Sequence, residues 1–168
     1  MQELRSMMVT QLRDAYSAEK QAIQVMRRMT RKASEPKLRE GLEAHIAQSE
    51  EQRDRVEQAL EKLAARPGRK VCEAMRGLVE EAQHEAEELD KGPILDLVIV
   101  AAQQRIEHYE IASYGTLAEL SEAMGEMDVA KLLRANLEEE KAQDERLTLV
   151  TREAILPAAM SEEEGDEE

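Results

Sequence analysis

The sequence predicts an all-α protein: four long helices in two antiparallel hairpins, joined by a shorter crossover helix. Three observations point there. Of 168 residues, 42% are hydrophobic and 36% charged, with no Phe or Trp, a composition of strong helix formers. Clear breaks divide the chain into five segments. Four of these segments run to about 30 residues, or ~45 Å as helix, and the remaining one to about 20.

The first helix spans roughly 2 to 32 and the second roughly 35 to 65. Between them "KASEPK" offers Ser34 as an N-cap, with Pro36 tolerated in the first turn. The second stops at "ARPGRK", where Pro67 and Gly68 break the pattern. The third runs roughly from 70 to 90, with Gly92 as its C-terminal cap, and Pro93 opens the fourth. The fourth ends at Gly125. The fifth begins near Glu126 or Asp128 and ends before Pro157. Short links make each outer pair a hairpin, and the third helix crosses between them. Two long hairpins and one long crossover describe the ferritin-like variant of the four-helix bundle. Residues 1–158 form this domain. The acidic end, 159–168, which contains "SEEEGDEE", reads as a solvated, disordered tail.

The formal charge of −14 argues against a nucleic-acid face and against anionic membranes. No stretch approaches ~20 apolar residues, so no membrane span is expected. The N-terminus lacks a basic start followed by an apolar run, so no secretory signal is expected. The single Cys72 forms no internal disulfide, and a reducing cytoplasm fits best. Hydrolase, kinase and dehydrogenase motifs are not found.

Steps of three and four residues trace the core-facing seams. They run through Leu12, Tyr16, Glu19, Ile23 and Met26 in the first helix. In the second they run through Leu38, Leu42, His45, Ser49, Gln52 and Val56. In the fourth they pass Gln103, Glu107, Glu110, Tyr114 and Leu117, and in the fifth Leu133, Leu137, Glu140, Asp144 and Leu147. Each seam is apolar at its ends and polar in its middle. Four rods of equal length therefore bring Glu19, His45, Glu107, Glu110, Glu140 and Asp144 to one level.

Five carboxylates in one buried layer, with one imidazole and no Lys or Arg, cost several kcal/mol per unpaired charge. Protons or cations must neutralise them. Two divalent ions nearly balance five carboxylates, and His45 supplies a nitrogen ligand that iron accepts well. The spacing of Glu107 and Glu110 lets both reach the same metal pair. The competing explanation is a polar layer without metal, whose carboxylates share protons.

Other residues carry less. Tyr16 and Tyr114 pack beside the polar layer with their hydroxyls on carboxylates; the alternative is tuning of a metal site. His108 points away from Glu107 and is exposed or at a subunit contact, and His84 is solvated. Cys72 is a small buried apolar group. Gly115 inside a helix suggests close approach by the third helix or a second subunit.

The stretches "DAYSAEKQ", "AHIAQSEEQ", "VIVAAQQRIEHYEIASYGTLAEL" and "LLRANLEEEKAQDERLT" resemble the YciE/YciF-like branch of the ferritin-like superfamily, over about residues 5–153. The resemblance implies a five-helix ferritin-like fold, a candidate di-iron centre, a link to bacterial stress and a homodimer. It places ligands at Glu19, His45, Glu107, Glu110, Glu140 and Asp144. One departure stands out: where the family carries His-x-x-Glu, this chain has Gln48, a poorer ligand.

The expected function is a cytoplasmic di-metal carboxylate protein with two iron ions per chain, or Mn or Zn instead. It would reduce peroxide or handle iron under stress as a non-haem di-iron oxidoreductase of peroxidase-like type. No nucleic acid or membrane partner is expected. The alternatives are a non-catalytic helical binding or structural protein with a degenerate site and, third, an iron store.

Overall fold

The computed structural model describes residues 1–166. Its helices are α1 (Gln2–Lys32), α2 (Pro36–Lys62), α3 (Glu73–Glu87), α4 (Pro93–Ala123), α5 (Met127–Val150) and α6 (Leu156–Asp166), with a π turn at Thr151–Ile155. The fold class is the expected one. α1 packs on α2 and α4, and α5 packs on the same two helices, so the four long rods form a square. α3 lies across the outside of α1 and α4.

Two apolar clusters fill the bundle. One holds Ala22, Met26, Leu38, Leu42, Met75, Ile99, Ile106 and Leu147. The other holds Met8, Leu12, Val56, Leu60, Tyr114, Leu117, Val129 and Leu133. On each long helix the polar seam residues fall between the two sets, so apolar packing closes the polar layer above and below.

Several boundaries differ from expectation. The cap of α2 is Glu35, whose carboxylate accepts the Lys37 amide at 3.1 Å, rather than Ser34. The Ser34 and Glu35 amides instead donate to the buried carboxylate of Asp96 on α4, at 2.7 and 2.8 Å. Asp96 thereby pins the α1–α2 corner to the start of α4. α3 begins later than expected because Cys72 caps it, its sulfur taking the Met75 amide at 3.4 Å. The segment before α3 is tied to α1: the Cys72 amide donates to Ser17 Oγ at 2.9 Å, and Lys70 pairs with Asp14 at 3.2 Å. Gly92 precedes α4 in an extended conformation and does not cap α3.

The last helix does not stop before Pro157. A mid-helix proline removes one hydrogen bond and crowds the carbonyl four residues back. The wide π turn at Thr151–Ile155 spreads the backbone where that crowding would fall. The chain then continues as α6 and buries Ala159. The acidic segment expected to be disordered is therefore helical through Asp166, while Glu167 and Glu168 lie outside the described residues. Gly115 faces open space, since an added Cβ would meet nothing within 4 Å, so α3 does not cross there. Among the described residues no helix is long and apolar enough to cross a membrane.

Candidate metal centre

Glu19, His45, Glu107, Glu110 and Glu140 are all buried and all face the bundle axis. They form two groups with ligand atoms within 4.8 Å of one another: His45, Glu107 and Glu140, and Glu19, Glu110 and Glu140. Glu140 belongs to both, which places it as the shared carboxylate. Four helices contribute, and each does so because its apolar stripe holds that face inward.

Asp144 does not join them. It is partly exposed on the outside of the α4–α5 pair, where its Oδ2 lies 3.2 Å from His108 Nε2 and its Oδ1 accepts from Gln104 at 3.2 Å. The inward residue at that level is Gln143, buried to 1% exposure. From Glu140, steps of three and four both stay near the stripe. The rotation of α5 against α2 and α4 selects the step of three. Tyr16 is likewise off the seam: it is only partly buried and sits under Lys20, 5.9 Å from the ring.

His45 Nδ1 lies 3.0 Å from Gln48 Oε1. That contact orients the ring and turns Nε2 toward Glu107 Oε2 at 3.2 Å and Glu140 Oε2 at 3.6 Å. Gln48 thus holds the His45 ring in place through Nδ1, the kind of contact that orients metal-binding histidines. Tyr114, fully buried on α4, donates its hydroxyl to Glu19 Oε1, and Gln103 donates to Glu107 Oε1.

The layer is not satisfied by these bonds. Among the described residues nine buried side-chain polar atoms lack hydrogen-bond geometry to any partner, and all nine lie on these facing seams: Glu19 Oε2, His45 Nε2, Ser49 Oγ, Gln52 Oε1, Glu107 Oε2, Glu110 Oε1, both oxygens of Glu140, and Gln143 Oε1. Natural interiors leave few such atoms, and each normally has a reason. Six of the nine, five carboxylate oxygens and the His45 nitrogen, make a donor set for a divalent cation, and the other three are neutral oxygens of Ser49, Gln52 and Gln143. The residues present therefore fit a metal ion.

The electrostatics of the layer are perturbed as well. Burial pushes the carboxyl groups of Glu19 and Glu140 up, and neighbouring carboxylates add to it, so each titrates at about 8. Glu110 rises well above the carboxylate range, from burial first and then from Glu19, Glu140 and Glu107. For His45 burial opposes the charged form, but Glu107 and Glu140 outweigh it and hold the imidazole well above its ordinary value. Burial and the adjoining acids also raise the Tyr114 phenol. The buried acids, the imidazole and the phenol thus shift together in one cluster, a pattern that catalytic and metal sites share.

A second polar group lies under α3. Tyr109 donates to Asp14 Oδ2 at 2.8 Å, with Cys72 Sγ 3.1 Å from its hydroxyl. Cys72 is buried as expected, yet it is a helix cap with a polar neighbour rather than simple filler. His84 and His108 are exposed, as the sequence indicated. Gln143 escaped sequence reasoning, although the three-residue step from Glu140 was a signal for it.

The sequence pattern of the family described as "Domain of unknown function (DUF892)" matches residues 3–160. The chain is 42% identical over 149 residues to protein YciF of Escherichia coli (strain K12), covering 88% of this chain and 90% of that protein. The crystal structure of the E. coli stress protein YciF superposes with a TM-score of 0.83 at 41% identity, over 89% of this chain and 95% of that one. YcfI of Rhodopseudomonas palustris, a proposed structural protein, gives 0.83 at 37%, over 86% and 92%. A protein from Xanthomonas campestris pv. campestris gives 0.73 at 28%, over 96% and 99%. On the family match over residues 3–160 and the identity to YciF, the chain belongs to the DUF892 family, the YciF-like branch of the ferritin-like superfamily.

Proposed function

We propose that this chain holds two divalent metal ions, iron foremost and Mn or Zn as substitutes, and uses them to reduce peroxide or handle iron under stress. The observation that carries this reading is that every buried side-chain polar atom among the described residues without a hydrogen-bond partner falls on one layer. The charge count strengthens it. With Asp144 outside, four carboxylates remain, Glu19, Glu107, Glu110 and Glu140, and two divalent ions neutralise four negative charges.

His45 and Glu107 would hold one ion and Glu19 and Glu110 the other, with Glu140 common to both groups. Gln48 keeps Nε2 of His45 as the donor atom, and Tyr114 holds the Glu19 carboxylate in one orientation. The apolar clusters on either side keep bulk water away. When bound, two ferrous ions supply the two electrons that reduction of a peroxide requires. Glu19, Glu110 and Glu140 give up protons as metal enters. The working unit in this reading is a homodimer, and sedimentation at twice the chain mass is the expected result.

The test is anaerobic Fe(II) loading of the purified protein, followed by peroxide. About two irons per chain, with a peroxide-driven change in absorbance, support the proposal. Trace metal that Glu107→Ala does not alter overturns it.

A second reading, a structural protein with a metal-free layer, draws support from the raised acids: Glu19, Glu110 and Glu140 protonated at neutral pH reduce the buried charge. The description of YcfI as structural fits it as well. The same loading experiment separates the two.

A further inference from the structure

We propose that cations reach the buried acids along the α2–α5 seam, past Glu139 and Gln52, with Arg55 closing the outer end. This rests on the two-metal reading. The acids are fully enclosed, so an ion needs a path on which oxygens replace its water one after another.

The α2–α5 seam supplies such a path. Glu139, next to Glu140 in sequence, is turned toward α2 with its side chain 22% exposed. Gln52 is fully buried, and its Nε2 donates to Glu139 Oε2 at 2.9 Å. The Gln52 Oε1 has no partner, and neither has Ser49 Oγ one turn further along α2. Carboxylate, amide oxygen and hydroxyl thus follow one another from the surface to the acid layer. Asn136, also buried, holds the Gln52 main-chain carbonyl at 3.2 Å and fixes the passage between the helices.

Arg55 covers the outer carboxylate. Its Nη1 lies 2.7 Å from Glu139 Oε2 and 3.0 Å from Asn136 Oδ1, and Nη2 reaches Glu51 at 3.4 Å. A cation meets this guanidinium first and must displace it to reach Glu139. The other outward contact of the layer, His45 to Gln48, ends on an amide and not on an acid. On the α4–α5 side the surface group of Gln104, His108, Asp144 and Thr148 bonds only within itself, and no hydrogen bond joins it to a buried side chain.

The experiment is stopped-flow uptake of Co(II), without oxygen, by the full-length protein, followed by visible absorbance and by final metal per chain. Gln52→Leu removes an oxygen from the path, and Glu139→Gln removes the outer charge. Each is expected to slow uptake by about tenfold without changing the final stoichiometry. Arg55→Ala is expected to speed it, and His108→Ala to leave it unchanged. Wild-type rates in both Gln52→Leu and Glu139→Gln overturn the route while leaving the metal site intact. Slowing in His108→Ala, or a lower final stoichiometry in Gln52→Leu, also overturns it. A wild-type protein that takes up no Co(II) and no Fe(II) removes the two-metal reading and the route together.

Discussion

Asp144 faces His108 across 3.2 Å on the outer surface of the α4–α5 pair, while Glu140, one turn earlier on α5, is completely buried. Two acids four residues apart thus serve different purposes. Asp144→Asn is expected to leave metal stoichiometry unchanged, whereas Glu140→Gln removes the carboxylate common to both ligand groups and abolishes stable binding of either ion. Metal analysis after gel filtration checks both variants.

The metal-free protein should lose stability as pH rises. Glu19 and Glu140 titrate at about 8 in the folded chain against 4.5 when free, so between those values the folded state binds more protons than the unfolded state. Its advantage is present in full below pH 4.5 and shrinks toward pH 8. His45, raised above 6.5, acts in the same direction. Urea denaturation of the metal-free protein at pH 5, 6.5 and 8 should show falling midpoints.

Metal should reverse that trend, because the ions compete with the same protons and bind tighter as pH rises. At a free metal concentration of about 100 times the dissociation constant, one site adds about 2.7 kcal/mol. For a domain of this size that raises the midpoint temperature by roughly 5–10 °C. Calorimetry with and without Fe(II) at pH 7.5 reads it directly, and a shift absent from Glu107→Ala ties the effect to the layer.

Tyr114→Phe deletes the donor to Glu19 and little else. The expected result is weaker metal binding, by roughly 10-fold, with the helical fold retained. A competition titration against a chelator measures the loss, and circular dichroism the fold.

Asp96 tests the corner rather than the centre. Its buried carboxylate accepts two main-chain amides between α1 and α2. Asp96→Ala leaves both unpaired and should cost roughly 2–4 kcal/mol of stability. Metal bound per folded chain should stay as in the wild type.

Much of this protein was determined by sequence alone. Pro36, Pro67, Pro93 and Gly125 mark the breaks, Pro36 and Pro93 in the first turns of α2 and α4 and Pro67 and Gly125 in the links, and Gly68 and Gly125 do adopt positive φ. Steps of three and four residues put Glu19, His45, Glu107, Glu110 and Glu140 on apolar stripes, and a stripe must face the core because apolar area leaves water. Tertiary structure decided what remained within the tolerance of a stripe. It turned α5 so that Gln143 points inward and Asp144 outward, and left Tyr16 at the edge. It made Gln48 a partner of His45, which depends on the ring's rotation and not on spacing. The tail followed neither its charge nor its proline, because a π turn before Pro157 lets the helix run on. Periodicity fixes a helix face only to within one residue, and the packing of neighbouring helices supplies the remaining rotation.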